Sequence, residues 1–501
     1  MGDEIWKYSW LPLVVFLAVC VVVLISSLVQ SNKKSWQQQL PPGPKGWPLL
    51  GSIGHLCGKD RNSFLSRMVE KYGAIFTLSL GSRKVVVVNS HDIMRKILLD
   101  GHVLSERAPI ESLDSYFQGR GIAGAKYSKD WQEIRRFTHD IFRKLGVGRR
   151  HFETSILSEL DHMMSDIEKR CKNKEEFDPM TVFSNATANV IGSVVIGQRL
   201  NNNHAFEKMK SALHRCLRLF QYGGTSTFLP FMRYLPTLPG LKAFYTTMDT
   251  LINYHKTLIN KRKIYAKECD QPTNIIDAYL KQICTNEQSP SPFNEDSLAY
   301  VINDLFIAGT ETSATVLTWA VLYLIIRPHI QEKVHKEIDT QVPGGQPVTI
   351  ADKPKLPYTQ AVILESLRYG SVAPAVMRAT TQDTTIAGYN IPRGTFVMLN
   401  YYYTNFDPAL WTDHNEFKPE RFLDSEGQLV DRKELIPFSI GRRNCLGESL
   451  AKMEIFLFFT NLVKSYHFEP TEGAVLTSDE QPGLSRIPKS FKVRVIDRHS
   501  L

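Results

Sequence analysis

The longest helical pattern in the sequence runs over residues 295–327 and stops at Pro328. Apolar residues lie on several faces of this segment, so a helix here has to be enclosed by other elements on most sides. Proline cannot extend the hydrogen-bond ladder of a helix, which fixes the end of the segment. The pattern therefore favours a large, mostly α fold built around one buried helix.

Shorter helical patterns fill much of the remaining chain, and β patterns are confined to a few places. The helical patterns cover residues 91–100, 128–144, 151–172, 178–197, 204–220, 240–268, 328–340, 356–370 and 448–464. Residues 75–89 alternate around a Gly81-Ser82 turn, which predicts a hairpin, and residues 384–400 form a β-rich region. Closing strands follow the last helix. No linker divides residues 52–501, which are predicted to form one large domain with a small β part.

An apolar segment from Trp10 to Val29 precedes this domain. As a helix it would span about 30 Å, the thickness of a hydrocarbon core. It is too long for a cleaved signal peptide, and no basic region precedes it. Lys33 and Lys34 follow it and place the remainder of the chain in the cytosol. We therefore expect a single transmembrane anchor over residues 1–34 and a Pro/Gly-rich tether over residues 35–51.

Charge and cysteine content narrow the function classes. The net charge of +9 is spread too evenly for a nucleic-acid binder and fits contact with an anionic membrane or an acidic protein. The seven cysteines are scattered and include no CxxC pair, which argues against a disulfide scaffold. The chain is therefore expected in a reducing compartment, where one cysteine can have a special role.

That cysteine is Cys445, in the segment FSIGRRNCLG at residues 438–447. A helix pattern follows at once, so backbone N–H groups and the positive end of the helix dipole should favour a thiolate. Gly441 and Gly447 permit a tight turn close to a flat ligand, and Arg443 is placed to meet an anion. A thiolate in such a loop suits the single axial ligand of haem iron. The alternative for an isolated cysteine is simple burial at a helix start.

Four further motifs accompany this loop. Glu365-Ser-Leu-Arg368 places two opposite charges at i,i+3 on a helix face, and Phe417-Lys-Pro-Glu-Arg421-Phe422 follows it. Ala308-Gly-Thr-Glu311-Thr312-Ser313 lies within the long helical pattern, and Trp131-Gln-Glu-Ile-Arg135 lies on an earlier helix. Together with the cysteine loop, these motifs resemble those of the cytochrome P-450 family, in particular its animal microsomal branch that metabolises drugs, fatty acids and steroids.

The resemblance covers nearly the whole chain and implies the mostly α cytochrome P-450 fold with haem b bound. Cys445 would be the axial iron ligand. The residues implied to contact haem or its propionates are Trp131, Arg135, Ala308, Arg378, Phe438, Gly441, Arg443 and Gly447.

The same resemblance assigns two further roles. Glu365, Arg368 and Arg421 would form a buried ion-paired triad that supports the haem-binding loop. Thr312 and Glu311 would manage proton delivery during oxygen activation, where the helix is expected to open locally at Gly309. One departure from the family pattern is Asn405-Phe406, which leaves the packing contacts near the triad open.

The implied function is monooxygenation of a lipophilic small molecule: a fatty acid, a steroid or a xenobiotic. O₂ is a cosubstrate, and NADPH supplies electrons through a membrane-bound cytochrome P-450 reductase, with cytochrome b5 as a second donor. The chain would lie in the endoplasmic reticulum membrane, in contact with membrane lipid and with its catalytic domain on the cytosolic face. Docking of the reductase is expected to involve Arg143, Lys144, Arg149, Arg150 and Arg442.

Some alternatives stay open at this point. Asp304 lies on the same helix face as Ala308 and could meet either a substrate or a neighbouring element. A haem-thiolate isomerase or dehydratase of lipid peroxides would need neither O₂ nor a reductase, but typically lacks the acid-threonine pair. A non-catalytic membrane haem-binding protein and a membrane-anchored interaction protein are the remaining readings.

Overall fold

The structure is a computed structural model that describes residues 40–57, 61–110, 114, 116–148, 150–200, 204–229, 239–266, 271–285, 291–481 and 485–498. The predicted membrane anchor, residues 1–34, and the first part of the tether lie outside these residues. The described chain divides into two compact units.

The smaller unit is formed by described residues up to Ala108, residues 228–229 and Met377–Leu399. Its helices are α1 (Ile53–Cys57), α2 (Arg61–Tyr72) and α3 (His91–Leu99). Its strands are β1 (Ile75–Leu80), β2 (Arg83–Val88), β3 (Glu106–Arg107), β4 (Val376–Ala379), β5 (Thr384–Ile386), β6 (Tyr389–Ile391) and β7 (Phe396–Leu399).

Five of these strands form one sheet in the order β1-β2-β7-β4-β3. The predicted hairpin is confirmed as the antiparallel pair β1 and β2, with Thr77 opposite Val86. Strand β2 pairs in parallel with β7, with Val86 opposite Val397. The four valines of β2, Val85–Val88, are fully buried, as expected of a strand with neighbours on both edges and cover on both faces.

The larger unit contains the remaining described residues. Its helices are α4 (Lys129–Lys144), α5 (Arg150–Lys172), α6 (Pro179–Ile196), α7 (His204–Phe228), α8 (Pro239–Ala266), α9 (Ile275–Thr285), α10 (Glu295–Ile326), α11 (Pro328–Gln341), α12 (Pro357–Gly370), α13 (Tyr401–Asn405) and α14 (Glu448–Ser465). Its short strands are β8 (Tyr466–Pro470), β9 (Glu480–Gln481), β10 (Ile487–Pro488) and β11 (Val493–Asp497). The expectation of a mostly α fold with a small β part is confirmed.

Helix α10 lies at the centre of the larger unit, as its all-round apolar pattern predicted. The Asn294 side chain accepts a hydrogen bond from the N–H of Ser297 and caps its start, and Pro328 follows its last turn. The helix packs against α6, α8, α12 and α14, so that side chains on opposite faces, such as Phe306 and Trp319, are fully buried.

Gly309 has a packing role that differs from the expected one. The expectation of a local opening in the helix at this position is wrong, because α10 is helical without interruption from Glu295 to Ile326. A Cβ atom at Gly309 would lie only 2.3 Å from Cδ1 of Ile191 on α6. The glycine is therefore required by the close approach of α6 to α10, which offsets its cost of about 0.5–1 kcal/mol within a helix.

Two described helices, α6 and α10, are long and apolar enough to cross a membrane. In both, 78% of the most apolar window is buried inside the protein. This burial is typical of core helices, and the described residues therefore provide no test of the predicted anchor.

Candidate active site

The cysteine motif forms a tight loop that leads directly into α14. The N–H of Cys445 donates to the carbonyl oxygen of Phe438 at 2.8 Å, and the N–H of Asn444 donates to that of Gly441 at 3.1 Å. Gly441 has a φ of 77°, a conformation that favours glycine, so the predicted turn requires this residue. Gly447 is the N-cap of α14. The Cys445 side chain is therefore held at a helix start and is solvent-exposed.

Helix α4 packs beside this loop through two of the predicted site residues. The Arg443 guanidinium lies 3.8 Å from the centre of the Trp131 ring and donates to the carbonyl oxygen of Ala125 at 2.8 Å. The Trp131 Nε1–H donates to the carbonyl oxygen of Ile122 at 2.9 Å. Both side chains are buried, and these contacts join α4, the loop at residues 122–125 and the cysteine loop.

Arg135 connects the same helix to the residue before the cysteine. Its Nη2 donates to both the carbonyl oxygen and the Oδ1 atom of Asn444, at 2.7 and 2.8 Å. Together with Trp131, Arg136 and Arg442, it lines a cavity of about 370 Å³ onto which Cys445 opens. The structure thus brings Trp131, Arg135, Arg443 and Cys445 together. Arg378, the fourth predicted propionate contact, is buried on β4 of the smaller unit, opposite Arg107.

The thiol itself is less acidic than the sequence predicts. Exclusion of water by dense protein packing raises the pKa of Cys445, although its surface on the cavity side is exposed. The N–H of Gly447 and the charge of Arg135 act in the opposite direction, and the nearby Glu448 adds to the increase. The helix start thus acts as the sequence predicts, since the N–H of Gly447 lowers the pKa of Cys445, but desolvation outweighs this effect and the net pKa is raised. A coordinated metal ion deprotonates a thiol outright.

The arrangement fits a haem group. A Cβ atom at Gly447 would meet no other atom within 4 Å, so packing within the chain does not require this glycine. A flat ligand lying against the loop would require it. One thiol for the iron and several guanidinium groups for two carboxylates form a chemically matched donor set. No cluster of three His, Cys, Asp or Glu side chains suited to a metal ion occurs among the described residues, and haem iron does not need one.

A buried ion-paired cluster joins α12 to the segment at residues 418–421. Glu365 and Arg368, both fully buried on α12, form two hydrogen bonds of 2.7 and 2.8 Å. The Nε of Arg421 donates to Glu365 Oε1 at 3.1 Å, and the N–H of Lys418 donates to the same oxygen at 2.7 Å. The structure therefore joins the two predicted motifs around one carboxylate.

The departure at Asn405-Phe406 leaves this cluster intact. The Arg368 Nη1 donates to the carbonyl oxygen of Asn405 at 2.5 Å, a contact that any residue type can make. Phe406 places its ring 5.5 Å from the Arg368 guanidinium and stacks on Tyr402. An aromatic face at this position thus covers the buried cation.

The acid-threonine pair on α10 faces two directions. Ala308 and Thr312 are exposed one helical turn apart, and the Thr312 hydroxyl donates to the carbonyl oxygen of Ala308 at 2.7 Å. Glu311 is buried at only 4% exposure, and its Oε2 atom lies 3.7 Å from Nδ1 of His214 on α7. His214 was not identified from the sequence, because no local pattern relates it to the long helix.

A second buried acid links α10 to α14. Glu454 lies nine residues after Cys445 and is 2% exposed, and its side chain lies near that of Ser313, the neighbour of Thr312. Burial raises the pKa of Glu454 to about 8, so the carboxyl group is largely neutral at pH 7. This acid too was missed by sequence reasoning, since it lies within an unremarkable apolar helix pattern.

Of the two roles predicted for Asp304, the structure shows the contact with a neighbouring element. Its Oδ2 accepts hydrogen bonds from the N–H groups of Ile122 and Ala123, at 2.6 and 2.8 Å. Gly121 has a φ of 83°, and a Cβ atom there would lie 2.5 Å from the same oxygen. The carboxylate therefore fixes the segment at residues 121–123 to α10, one turn before Ala308.

A fold of this kind, with one cysteine presented at a helix start beside stacked arginine and tryptophan, is that of a haem-thiolate protein. Comparison with known proteins gives the family. The sequence profile described as Cytochrome P450 matches residues 41–495, and the chain belongs to the cytochrome P450 family of haem-thiolate monooxygenases.

The chain is similar to several animal members of that family over nearly their full length. It is 34% identical to Cytochrome P450 2U1 of Mus musculus over 490 residues, which cover 92% of this chain and 91% of the relative. It is 31% identical to Cytochrome P450 2D20 of Mesocricetus auratus, covering 96% and 95% of the two chains. It is 32% identical to Cytochrome P450 2J2 of Homo sapiens, covering 92% of each. The predicted resemblance to the animal branch is confirmed.

Proposed function

We propose that this protein inserts one atom of O₂ into a lipophilic small molecule, a fatty acid, steroid or xenobiotic, with electrons from NADPH delivered by a reductase. The observation that carries the proposal is the placement of Cys445 on a loop held by Trp131, Arg135 and Arg443, in a chain of the cytochrome P450 family. Haem b, when bound, supplies the O₂ chemistry and accepts the electrons.

The chain's own residues would hold and orient this group. Cys445 would provide the thiolate that binds the iron, and Arg135, Arg443, Arg378 and Trp131 would neutralise or contact the propionates. Phe438, Gly441, Gly447 and Ala308 would contact the haem group. The triad of Glu365, Arg368 and Arg421 would support the haem-binding loop structurally, since its paired charges are nearly or fully buried.

Proton delivery is assigned to the acid-threonine pair. The Thr312 hydroxyl would position a proton donor on the exposed face of α10. Glu311 would supply protons to this donor from the other side of the helix. A carboxyl and a hydroxyl at adjacent positions suit a pocket that otherwise excludes water. The isomerase and dehydratase alternative does not require this pair, and its presence therefore favours the monooxygenase.

The substrate is expected to be apolar. Tyr116, Phe117 and Tyr300 form an aromatic cluster at the N-terminal part of α10, with ring centroids 5.6–6.2 Å apart. The segment that carries two of these rings is fixed to α10 through Asp304. Aromatic side chains are typical of sites for lipophilic ligands, and this cluster therefore supports an apolar substrate.

An acidic redox partner would dock on the side of α4 and the cysteine loop. Arg143, Lys144 and Arg442 are exposed there, and Arg143 forms a surface ion pair with Asp140 at 3.3 Å. Arg149 lies outside the described residues, as does the side chain of Arg150. We expect NADPH-cytochrome P450 reductase, and cytochrome b5 as a second donor, on this surface of a protein anchored in the endoplasmic reticulum membrane. Rising salt should then slow reductase-supported turnover, and an unchanged rate would contradict electrostatic docking.

The proposal is tested by turnover in membranes with isotopically labelled O₂. Purified protein, reductase and NADPH are combined with a mixed panel of fatty acids, steroids and foreign compounds, and the products are analysed by mass spectrometry. A product that gains one labelled oxygen atom supports monooxygenation and identifies the substrate class. Rearranged lipid peroxides without label or NADPH use would support the isomerase instead. Haem binding without any product from a wide panel would support a binding protein.

A further inference from the structure

A polar cavity of about 690 Å³ lies on the side of α10 toward which Glu311 projects. Its walls come from α6, α7, α8 and α10, with contributions from β9 and β10. Most of its lining side chains carry a hydroxyl, an amide or a charge, and the charged or titratable ones are Asp178, Lys208, His214, Arg215, Arg218 and Glu311. A lining of this kind favours water over an apolar ligand.

Glu311 contributes a nearly buried carboxylate to this cavity. His214 provides the one ion pair that this carboxylate makes among the described residues, with 3.7 Å between Nδ1 and Oε2. The His214 side chain is 36% exposed, so it contacts both a buried acid and cavity water. The separation is that of an ion pair and is longer than a hydrogen bond, so one bridging water or a small rotation would complete the path.

The helix itself separates the cavity from Thr312. Successive residues of an α-helix point about 100° apart, and Thr312 shares its exposed face with Ala308, while Glu311 points to the cavity. Glu311 is therefore the connection between the polar cavity and the face of α10 that carries the threonine hydroxyl.

We propose that His214 loads Glu311 with protons taken from water in this cavity, an inference that rests on the proposed monooxygenase function. In this step the Nδ1–H bond of protonated His214 breaks and an O–H bond forms on the Glu311 carboxylate. His214 becomes neutral and is then reprotonated by hydronium in the cavity water, whose O–H bond breaks to leave neutral water, so that atoms and charge balance and no electrons move. Because His214 acts through Glu311, it is a positioning and relay residue.

The choice of a histidine has a chemical reason. Imidazole gains and loses protons readily near neutral pH, whereas the guanidinium groups of Arg215 and Arg218 on the same helix stay protonated. These arginines line the cavity without being able to release a proton. Among the charged groups of the lining, His214 combines exchange with water and proximity to the acid.

The first test is His214→Gln, which keeps a polar side chain of similar size but cannot relay a proton. The matched control is His204→Gln, an exposed histidine on the same helix. In reductase-supported turnover we expect His214→Gln to lower the product formed per NADPH consumed by about tenfold, with the electrons released as hydrogen peroxide. General acid catalysis contributes about 10²–10⁴-fold, and water would replace part of it. The KM for substrate and the behaviour of the control should match the wild type.

The second test does not depend on turnover. The ring nitrogen signals of isotope-labelled histidine are recorded by NMR in the diamagnetic carbon monoxide complex, and the His214 signals are assigned by their loss in His214→Gln. Glu311→Gln should displace the Nδ1 signal of His214, since the two atoms are neighbours, and should leave the His204 signals unchanged.

The outcomes separate this inference from the proposed function. Wild-type protein that forms no labelled product overturns the proposed function. Wild-type turnover with an unaltered product yield in His214→Gln overturns the relay. If Glu311→Gln leaves the Nδ1 signal of His214 unchanged, the contact between His214 and Glu311 on which the relay depends is overturned.

Discussion

Replacing Glu365 by Gln should remove the charge that holds α12 to the segment at residues 418–421. The carboxylate accepts four hydrogen bonds, two from Arg368, one from Arg421 and one from the N–H of Lys418. A glutamine keeps a single acceptor oxygen and directs an NH₂ group at the guanidinium groups. Arg368 is fully buried, so its charge would be left without a counter-ion in the protein interior. Breaking a buried pair in this way costs about 3–5 kcal/mol.

The assay is urea unfolding followed by circular dichroism, with haem retention measured on the same samples. Glu420→Gln is the matched control: it lies in the adjoining motif, is 42% exposed and forms a surface ion pair with Lys333 at 2.7 Å. Such exposed pairs contribute about 0–1 kcal/mol. We expect Glu365→Gln to lose haem and several kcal/mol of unfolding free energy while the control loses neither. A Glu365→Gln variant as stable as the control would refute the reasoning.

Three further changes test other parts of the structure. Because burial raises the pKa of Glu454 to about 8, the folded state binds more protons than the unfolded state above about pH 4.5. The unfolding free energy should therefore fall as the pH rises through this range, by about 3 kcal/mol up to pH 7. Unfolding curves of Glu454→Gln should not show this dependence of the unfolding free energy on pH. An unchanged pH dependence would exclude Glu454 as its source. Gly309→Ala should destabilise the folded protein by about 1–3 kcal/mol despite the better helix propensity of alanine, since its Cβ would meet Ile191. Thermal unfolding should show that Ile191→Ala restores stability in the double variant. Additive effects of the two substitutions would contradict the contact. Asp304→Ala should lose two charge-assisted hydrogen bonds, each of about 1.5–3 kcal/mol. Limited proteolysis should then cleave the variant near residues 121–123 faster than the wild type. Equal rates of cleavage would show that Asp304 does not hold this segment.

Local patterns were sufficient for most of the helices. The limits of α10 and α12 follow from proline and from long apolar periodicity, and the structure places both as predicted. Helix α7 extends beyond the predicted end at residue 220 to Phe228, although Gly223 and Gly224 weaken its local signal. Helices α2 and α9 were missed, although the shorter helix α3 was predicted, so that length alone does not explain the difference.

Several site residues can be identified from sequence motifs, whereas other properties of the site depend on tertiary packing. Cys445, Arg443, Glu365 and Arg368 could be selected because their spacing lies within short motifs. The net rise in the pKa of Cys445 could not be foreseen, since desolvation depends on how densely other segments pack around the thiol.

Contacts between segments far apart in the sequence could not be predicted from local sequence patterns. Asp304 was left between two roles until its partners, 182 and 181 residues away, were known. His214 is separated from Glu311 by almost a hundred residues, and only the packing of α7 over α10 brings them together. Gly309 carried a recognisable signal, but the reason for it lay in Ile191 of another helix.

The central claim, that Cys445 is the thiolate ligand of a bound haem, is tested most directly by the absorption spectrum of the reduced carbon monoxide complex. The spectra of the wild type, Cys445→Ser and Cys284→Ser are compared, since Cys284 is a second exposed free cysteine. The account predicts the thiolate type of carbonyl spectrum for the wild type and for Cys284→Ser, and its loss in Cys445→Ser. A Cys445→Ser protein that retains this spectrum would contradict the ligand assignment and the function proposed from it.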